Sequence, residues 1–102
     1  MYLRLVQFNL GSPARPAADK IARSVMTLIR AQPGCERATF FADDTSGDSG
    51  LAVLWATRRD ADAAAAIVSP VLMKALAETN ATGGKPRLFE VLEPRAAAET
   101  SA

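Results

Sequence analysis

An α+β fold of six elements is predicted by three features of the sequence. Four short apolar segments end at Gly, Pro or polar turns, which favours strands over helices. Two longer segments repeat their apolar residues at helical spacing. The segments follow one another as strand, helix, strand, strand, helix, strand. This βαββαβ order is the ferredoxin-like arrangement, a four-stranded antiparallel sheet with two helices on one face.

The first half of the chain contains a strand, a helix and a second strand. Residues 2–10 are rich in Leu, Val and Phe and stop at a Gly-Ser-Pro turn, which favours a strand. Residues 16–31 carry an apolar stripe with charged residues elsewhere, which predicts an amphipathic helix. A Pro-Gly pair at 33–34 ends that helix, and the apolar and aromatic residues of 35–42 predict the second strand.

The second half repeats this pattern with a polar turn at its start. Its predicted elements are, in order, a turn at 43–50, a strand at 51–56, a helix at 60–78, a loop at 80–86 and a strand at 87–92. Asp60 is a candidate cap of the helix. Pro70 is expected to kink the helix or to restart it with Ser69 as a second cap. Gly83 and Gly84 favour the loop.

The length and composition allow one domain. The chain has 102 residues, of which 49% are hydrophobic, and many of these are alanine. The core is therefore expected to be modest. We predict a single domain at 1–94 and a loose C-terminal tail at 95–102, where the residues are small and polar.

Charge and reactive residues exclude several classes of function. Twelve Lys and Arg against eleven Asp and Glu give a net charge of +1. This charge is too small to attract nucleic acid or an anionic membrane electrostatically over long distances. The chain has no His and one Cys, so we expect no intramolecular disulfide, no metal site and no cofactor. The sequence contains no segment apolar enough to span a membrane, and we expect a cytoplasmic protein.

The strands carry apolar residues at consecutive positions. A sheet with helices on one face leaves its other face open, and its strands should then alternate apolar with polar residues. The strand at 51–56 is instead apolar throughout, and Phe40 and Phe41 are adjacent. Both faces of the sheet are therefore expected to be covered. With two helices available, the second cover is predicted to be another copy of the chain, in a homodimer joined through the sheets; the alternative is a monomer with apolar central strands.

Three local sequences resemble the antibiotic biosynthesis monooxygenase type of domain in the dimeric α/β-barrel superfamily. They are Ala-Gln-Pro-Gly-Cys at 31–35, Leu-Ala-Val-Leu-Trp-Ala-Thr-Arg-Arg-Asp at 51–60, where an apolar strand ends in Trp and is followed by the second helix, and Ser69-Pro70 followed by an apolar turn. The resemblance extends over roughly residues 1–94 in order and spacing. It implies a dimeric α/β barrel with a pocket between the sheet and the helices of each subunit.

The same resemblance implies two branches of activity. Some members oxidise aromatic, polyketide-like molecules with oxygen and without metal or flavin, and others bind and degrade haem through a His on the second helix. This chain has no His, which disfavours the haem branch. The oxygenase branch uses a pocket Trp and an Asn. Trp55 matches the Trp, and Asn9, or Gln7 on the same side of the first strand, is the candidate for the Asn.

Each candidate residue has a structural alternative. Trp55 and Asn9 are the predicted catalytic residues, but Trp55 also suits a core aromatic and Asn9 also suits the end of a strand. The predicted substrate-binding residues are Gln7, Met26, Arg58 and Met73. Methionines more often fill gaps in a core, and Arg58 also suits a solvated surface position.

Two functions follow from these observations. The first is a cofactor-independent monooxygenase acting on a small aromatic or polyketide-like molecule, in which hydrogen bonds from Trp55 and an amide stabilise the substrate anion. The alternative is a non-catalytic homodimer of the same fold that binds a small ligand or has a structural role. RNA recognition is disfavoured because the central strands offer no stacking platform of exposed aromatics.

Overall fold

The computed structural model describes residues 1–92. Its elements are β1 (Tyr2–Asn9), α1 (Arg15–Arg30), β2 (Cys35–Ala42), β3 (Asp48–Trp55), α2 (Arg58–Glu78) and β4 (Thr82–Glu90). The predicted βαββαβ order is confirmed. The predicted tail at 95–102 lies outside the described residues.

The four strands form one antiparallel sheet in the order β2-β3-β1-β4. The two central strands, β1 and β3, pair along their full length, from Tyr2 opposite Trp55 to Asn9 opposite Asp48. Both helices cover one face, which we call the inner face. Along β1 this face receives the side chains at even positions, so Val6 and Phe8 are buried there.

The hydrophobic core lies between the inner face and the helices. Its largest completely buried side chains, Ile21, Val25 and Ile29, come from one stripe of α1. Phe8 and Phe40 pack with their ring centroids 5.8 Å apart. Helix α1 lies on β2 and on α2, whereas α2 approaches the sheet at few points. This uneven packing leaves room between α2 and the central strands.

Helix α2 differs from its prediction at its start, and it does not restart in its middle. It begins at Arg58, because the Thr57 side chain caps it by accepting a hydrogen bond from the Asp60 backbone N–H at 3.0 Å. Asp60 therefore lies in the first turn. Pro70 lies inside one continuous helix and Ser69 does not start a second one. Neither helix among residues 1–92 is long and apolar enough to cross a membrane.

The predicted loop at 80–86 is largely strand. β4 begins at Thr82, and its pairing with β1 shifts register between Val6 and Phe8, which is a bulge. Gly83 and Gly84 have φ values of +89° and +100°, a conformation that side chains disfavour. The glycines that suggested a loop therefore form an irregular strand.

The outer face of the sheet, which neither α1 nor α2 covers, is apolar at its centre. Leu3 and Leu5 of β1 lie beside Leu54 and Ala52 of β3, and all four are only partly buried. Towards the two edges lie Phe41 and Phe89, with 40% and 37% of their surface exposed. The sequence pattern therefore predicted correctly that both faces of the sheet carry apolar side chains.

Candidate functional site

A cavity of about 40 Å³ lies between the inner face of the sheet and α2. Most of its lining is aliphatic, and small side chains at Ala64 and Ala65 help to leave it open. The residues around it are Arg4, Val6, Ile29, Leu51, Val53, Trp55, Ala64, Ala65, Val68, Ser69, Leu72, Met73, Gly84 and Pro86. Small-molecule sites also have a mostly apolar lining with few polar groups, but they enclose roughly 300–1,000 Å³, far more than this cavity.

Trp55 is the last residue of β3, lines this cavity and carries a buried hydrogen-bond donor. Its side chain is 2% exposed, and its indole Nε1 has no hydrogen-bond partner among the residues that the structure describes. Leaving a buried N–H unpaired costs about 1–3 kcal/mol. A ligand oxygen in the cavity would accept this hydrogen bond and offset that cost.

Arg4 carries the second buried, unpaired donor, and it is not among the site residues predicted from the sequence. It lies on β1 at the same parity as Val6 and Phe8, so its side chain points to the inner face. That parity is the signal by which the sequence could have revealed it. Its Nη2 donates to Asp62 Oδ1 at 3.4 Å, while its Nε is buried and unpaired within residues 1–92.

Arg4 and Trp55 are close neighbours on the sheet. Arg4 is opposite Val53 in the register of β1 and β3, and Trp55 is two residues farther along β3 on the same face. Such diagonal neighbours in antiparallel strands have Cα atoms about 7–8 Å apart. Two residues that line one apolar cavity therefore each carry a buried, unpaired N–H donor.

Of the four predicted substrate-binding residues, Met73 lines this cavity. Its side chain is 52% exposed, so it lies where the cavity opens to solvent. Met26 is buried on α1 beside β2, away from the cavity. Arg58 is exposed and its Nε is 4.0 Å from Asp62 Oδ2.

Asn9 and Gln7 lie on the outer face of the sheet, opposite to Trp55. Asn9 Nδ2 donates to Ser46 O and Asp48 Oδ1, both at 3.1 Å, and its Oδ1 accepts from the Gly11 N–H at 2.8 Å. The Asn9 amide thus joins the end of β1 to the β2-β3 turn. Gln7 is exposed on the same face. The structure therefore separates both amides from Trp55, which the sequence analysis had grouped with them.

Cys35 begins β2, opposite Trp55, and is partly buried. Burial raises the pKa of its thiol, the nearby Arg30 lowers it and Glu36 raises it, with burial the largest effect. The thiolate is the reactive form, so we expect iodoacetamide to alkylate Cys35 more slowly than it alkylates glutathione at pH 8. Mass spectrometry of timed samples measures both rates, and unfolding in urea should remove the difference. Alkylation as fast as that of glutathione would contradict this prediction.

Comparison of the chain with known proteins finds similar structures. No protein-family model matches the sequence, and no curated protein matches it. A proposed antibiotic biosynthesis monooxygenase from Deinococcus radiodurans superposes with a TM-score of 0.72 at 19% identity, over 91% of this chain and 94% of that one. SnoaB, a cofactor-independent oxygenase from Streptomyces nogalater, gives 0.67 at 16% identity, over 90% and 93%.

A third similar structure contains a ligand. It is the monooxygenase from the gene ActVA-Orf6 of Streptomyces coelicolor in complex with nanaomycin D, with a TM-score of 0.64, 20% identity and 91% of each chain covered. All three identities are low, so they establish similarity of fold. The chain has the fold of the antibiotic biosynthesis monooxygenases, as its sequence predicted.

Proposed function

We propose that this protein is a cofactor-independent monooxygenase that acts on a small aromatic molecule bearing a hydroxyl or carbonyl oxygen. The observation that supports this most is the buried, unpaired Nε1–H of Trp55, a residue that lines a largely apolar cavity. A donor held in an enclosed apolar site stabilises negative charge that develops on a substrate oxygen.

The substrate supplies the electrons in this proposal. A phenol that has lost its hydroxyl proton is an electron-rich anion, and it transfers electrons from the ring to O₂. One oxygen atom forms a bond to a ring carbon and becomes the second carbonyl of a quinone. The other oxygen atom leaves as water with the hydroxyl proton and the displaced ring hydrogen. The Trp55 N–H stabilises the phenolate, and the aliphatic wall excludes water from the reacting ring.

Similar structures support the general kind of activity. SnoaB and the ActVA-Orf6 protein are described as an oxygenase and a monooxygenase, and the second was crystallised with nanaomycin D. Their chains and this one match over nine-tenths of their lengths.

We also propose that the protein is a homodimer joined through the outer faces of two sheets. The partly buried centre of that face, formed by Leu3, Leu5, Ala52 and Leu54, presents apolar surface that a second copy would remove from water. Two-fold symmetry would bring the same apolar centre from each subunit together.

The size of the cavity favours a second candidate, a non-catalytic dimer whose pocket is filled by its own side chains. An engineered apolar cavity of about 150 Å³ accepts benzene, and the cavity here is about 40 Å³. An aromatic ring can enter only if α2 or the side chains at its opening, such as Met73, move outward. The sparse contacts between α2 and the sheet are consistent with such a movement.

Oxygen consumption distinguishes the two candidates. We expect the purified protein to consume O₂ with at least one member of a panel of phenols, naphthols and anthrones, with one quinone carbonyl and one water formed per O₂. We also expect the emission of Trp55, the only Trp, to change when that compound binds. Heat-denatured protein is the control for spontaneous oxidation. Unchanged emission and no oxygen uptake across the panel would favour the non-catalytic candidate.

A further inference from the structure

We propose that Arg4 is the specificity-determining residue of the cavity, and that the ligand carries a full negative charge next to its ring. This inference rests on the proposed function, because it concerns the same cavity. It adds the charge of the ligand and a residue that recognises it.

The position of Arg4 is unusual for an arginine. It lies on a central strand with apolar neighbours on the same face, and 20% of its side chain is exposed. A guanidinium in such surroundings loses much of its hydration and needs charged or hydrogen-bonding partners. Its one ion pair among residues 1–92 is with Asp62, at 3.4 Å through a single nitrogen. The buried Nε has no partner there.

A planar guanidinium binds a carboxylate or a pair of oxygens through two parallel N–H bonds. Here one edge of the group is occupied weakly by Asp62, and the unpaired Nε–H belongs to a side chain that lines the cavity. No Asp or Glu of the described chain lines the cavity. An anionic oxygen inside it would therefore meet Arg4 and Trp55 with no carboxylate in the lining, and the Asp62 carboxylate would contact Arg4 from outside that lining.

Asp62 is a competitor of the ligand in this arrangement. The Asp62 side chain is 61% exposed and also lies 4.0 Å from Arg58. Its ion pair with Arg4 is therefore exposed to water, and the same carboxylate also pairs with Arg58. Exposed ion pairs contribute little to stability. A ligand anion in the apolar cavity can thus take the place of Asp62 beside Arg4, and Asp62 can remain with Arg58.

Two probes that differ in charge test the inference. 1-Naphthoate and 1-naphthamide have the same ring and nearly the same shape, but only the first is charged at pH 7. By calorimetry we expect naphthoate to bind the native protein about tenfold or more tightly than naphthamide. A hydrogen bond to a charged group contributes about this much more to affinity than one between neutral groups.

Substitution of Arg4 should remove that preference. Arg4→Gln is expected to weaken naphthoate binding at least about tenfold and to change naphthamide binding less than about twofold. Arg4→Lys keeps the positive charge but lacks the planar guanidinium. Its affinity for naphthoate should lie between those of the native protein and of Arg4→Gln. Arg15→Gln is the matched control, since Arg15 is an exposed arginine paired with Asp19 at 3.9 Å. Circular dichroism and thermal unfolding confirm that each variant is folded.

Substitution of Asp62 should act in the opposite direction, which a loss of folding cannot imitate. Asp62→Asn is expected to strengthen naphthoate binding about two- to fivefold, because the competing carboxylate is gone. Asp19→Asn is its control and should change nothing. Equal binding of the two probes to the native protein, or equal weakening of both by Arg4→Gln, would overturn the inference and leave the proposed function standing. If neither probe binds, the proposed ligand cavity fails and the inference with it.

Discussion

Replacing Trp55 with phenylalanine is expected to lower kcat/KM for a phenolic substrate by about 10²–10³, the usual loss when one donor to a developing oxyanion is removed. The phenyl ring keeps an apolar side chain at the end of β3 but lacks the unpaired Nε1–H. The substrate is the phenol found by oxygen consumption, and an oxygen electrode measures the rates. The free energy of unfolding should fall only about 1–2 kcal/mol, as for a modest reduction of volume in a core.

Phe40→Leu is the control for this experiment. Phe40 packs against Phe8 in another part of the core and does not line the cavity. Phe40→Leu should lower the free energy of unfolding by a similar amount and leave kcat/KM unchanged. A Trp55→Phe enzyme within twofold of the native kcat/KM would show that the indole N–H has no catalytic role.

Placing a carboxylate at the centre of the outer face is expected to convert the protein from dimer to monomer. Leu54→Asp is the most direct change, because Leu54 lies on β3 beside Leu3 and is partly buried already. In a symmetric dimer the substitution occurs twice and would remove two carboxylates from water, which costs several kcal/mol for each ion. Size-exclusion chromatography with light scattering measures the mass.

Ile67→Asp is the matched control for this change. Ile67 is an apolar residue of α2 with 51% of its surface exposed, so its substitution adds the same charge away from the sheet. It should leave the mass unchanged. A native protein that is monomeric at about 100 µM, or a Leu54→Asp variant of native mass, would contradict the proposed dimer.

The order of the elements could be derived from the sequence because it depends on local patterns. The prediction for β2 agrees with the structure at both ends, and α1 differs by one residue at each end. Both elements have clear limits, since a Pro-Gly pair separates them. The start of α2 and the limits of β4 were predicted less accurately. A threonine cap and a bulge depend on hydrogen bonds that the spacing of apolar residues does not specify.

The fold class, the apolar residues on both faces of the sheet and the position of Trp55 at the end of a central strand follow from local sequence patterns. Which residues share the cavity depends instead on how distant segments of the chain pair and pack. Along β1, both the odd positions, with Leu3 and Leu5, and the even positions, with Val6 and Phe8, are apolar. The alternation that usually identifies the buried face is therefore absent. Pairing with a distant strand and the packing of the helices place Arg4 beside Trp55 and the amides at 7 and 9 on the opposite face.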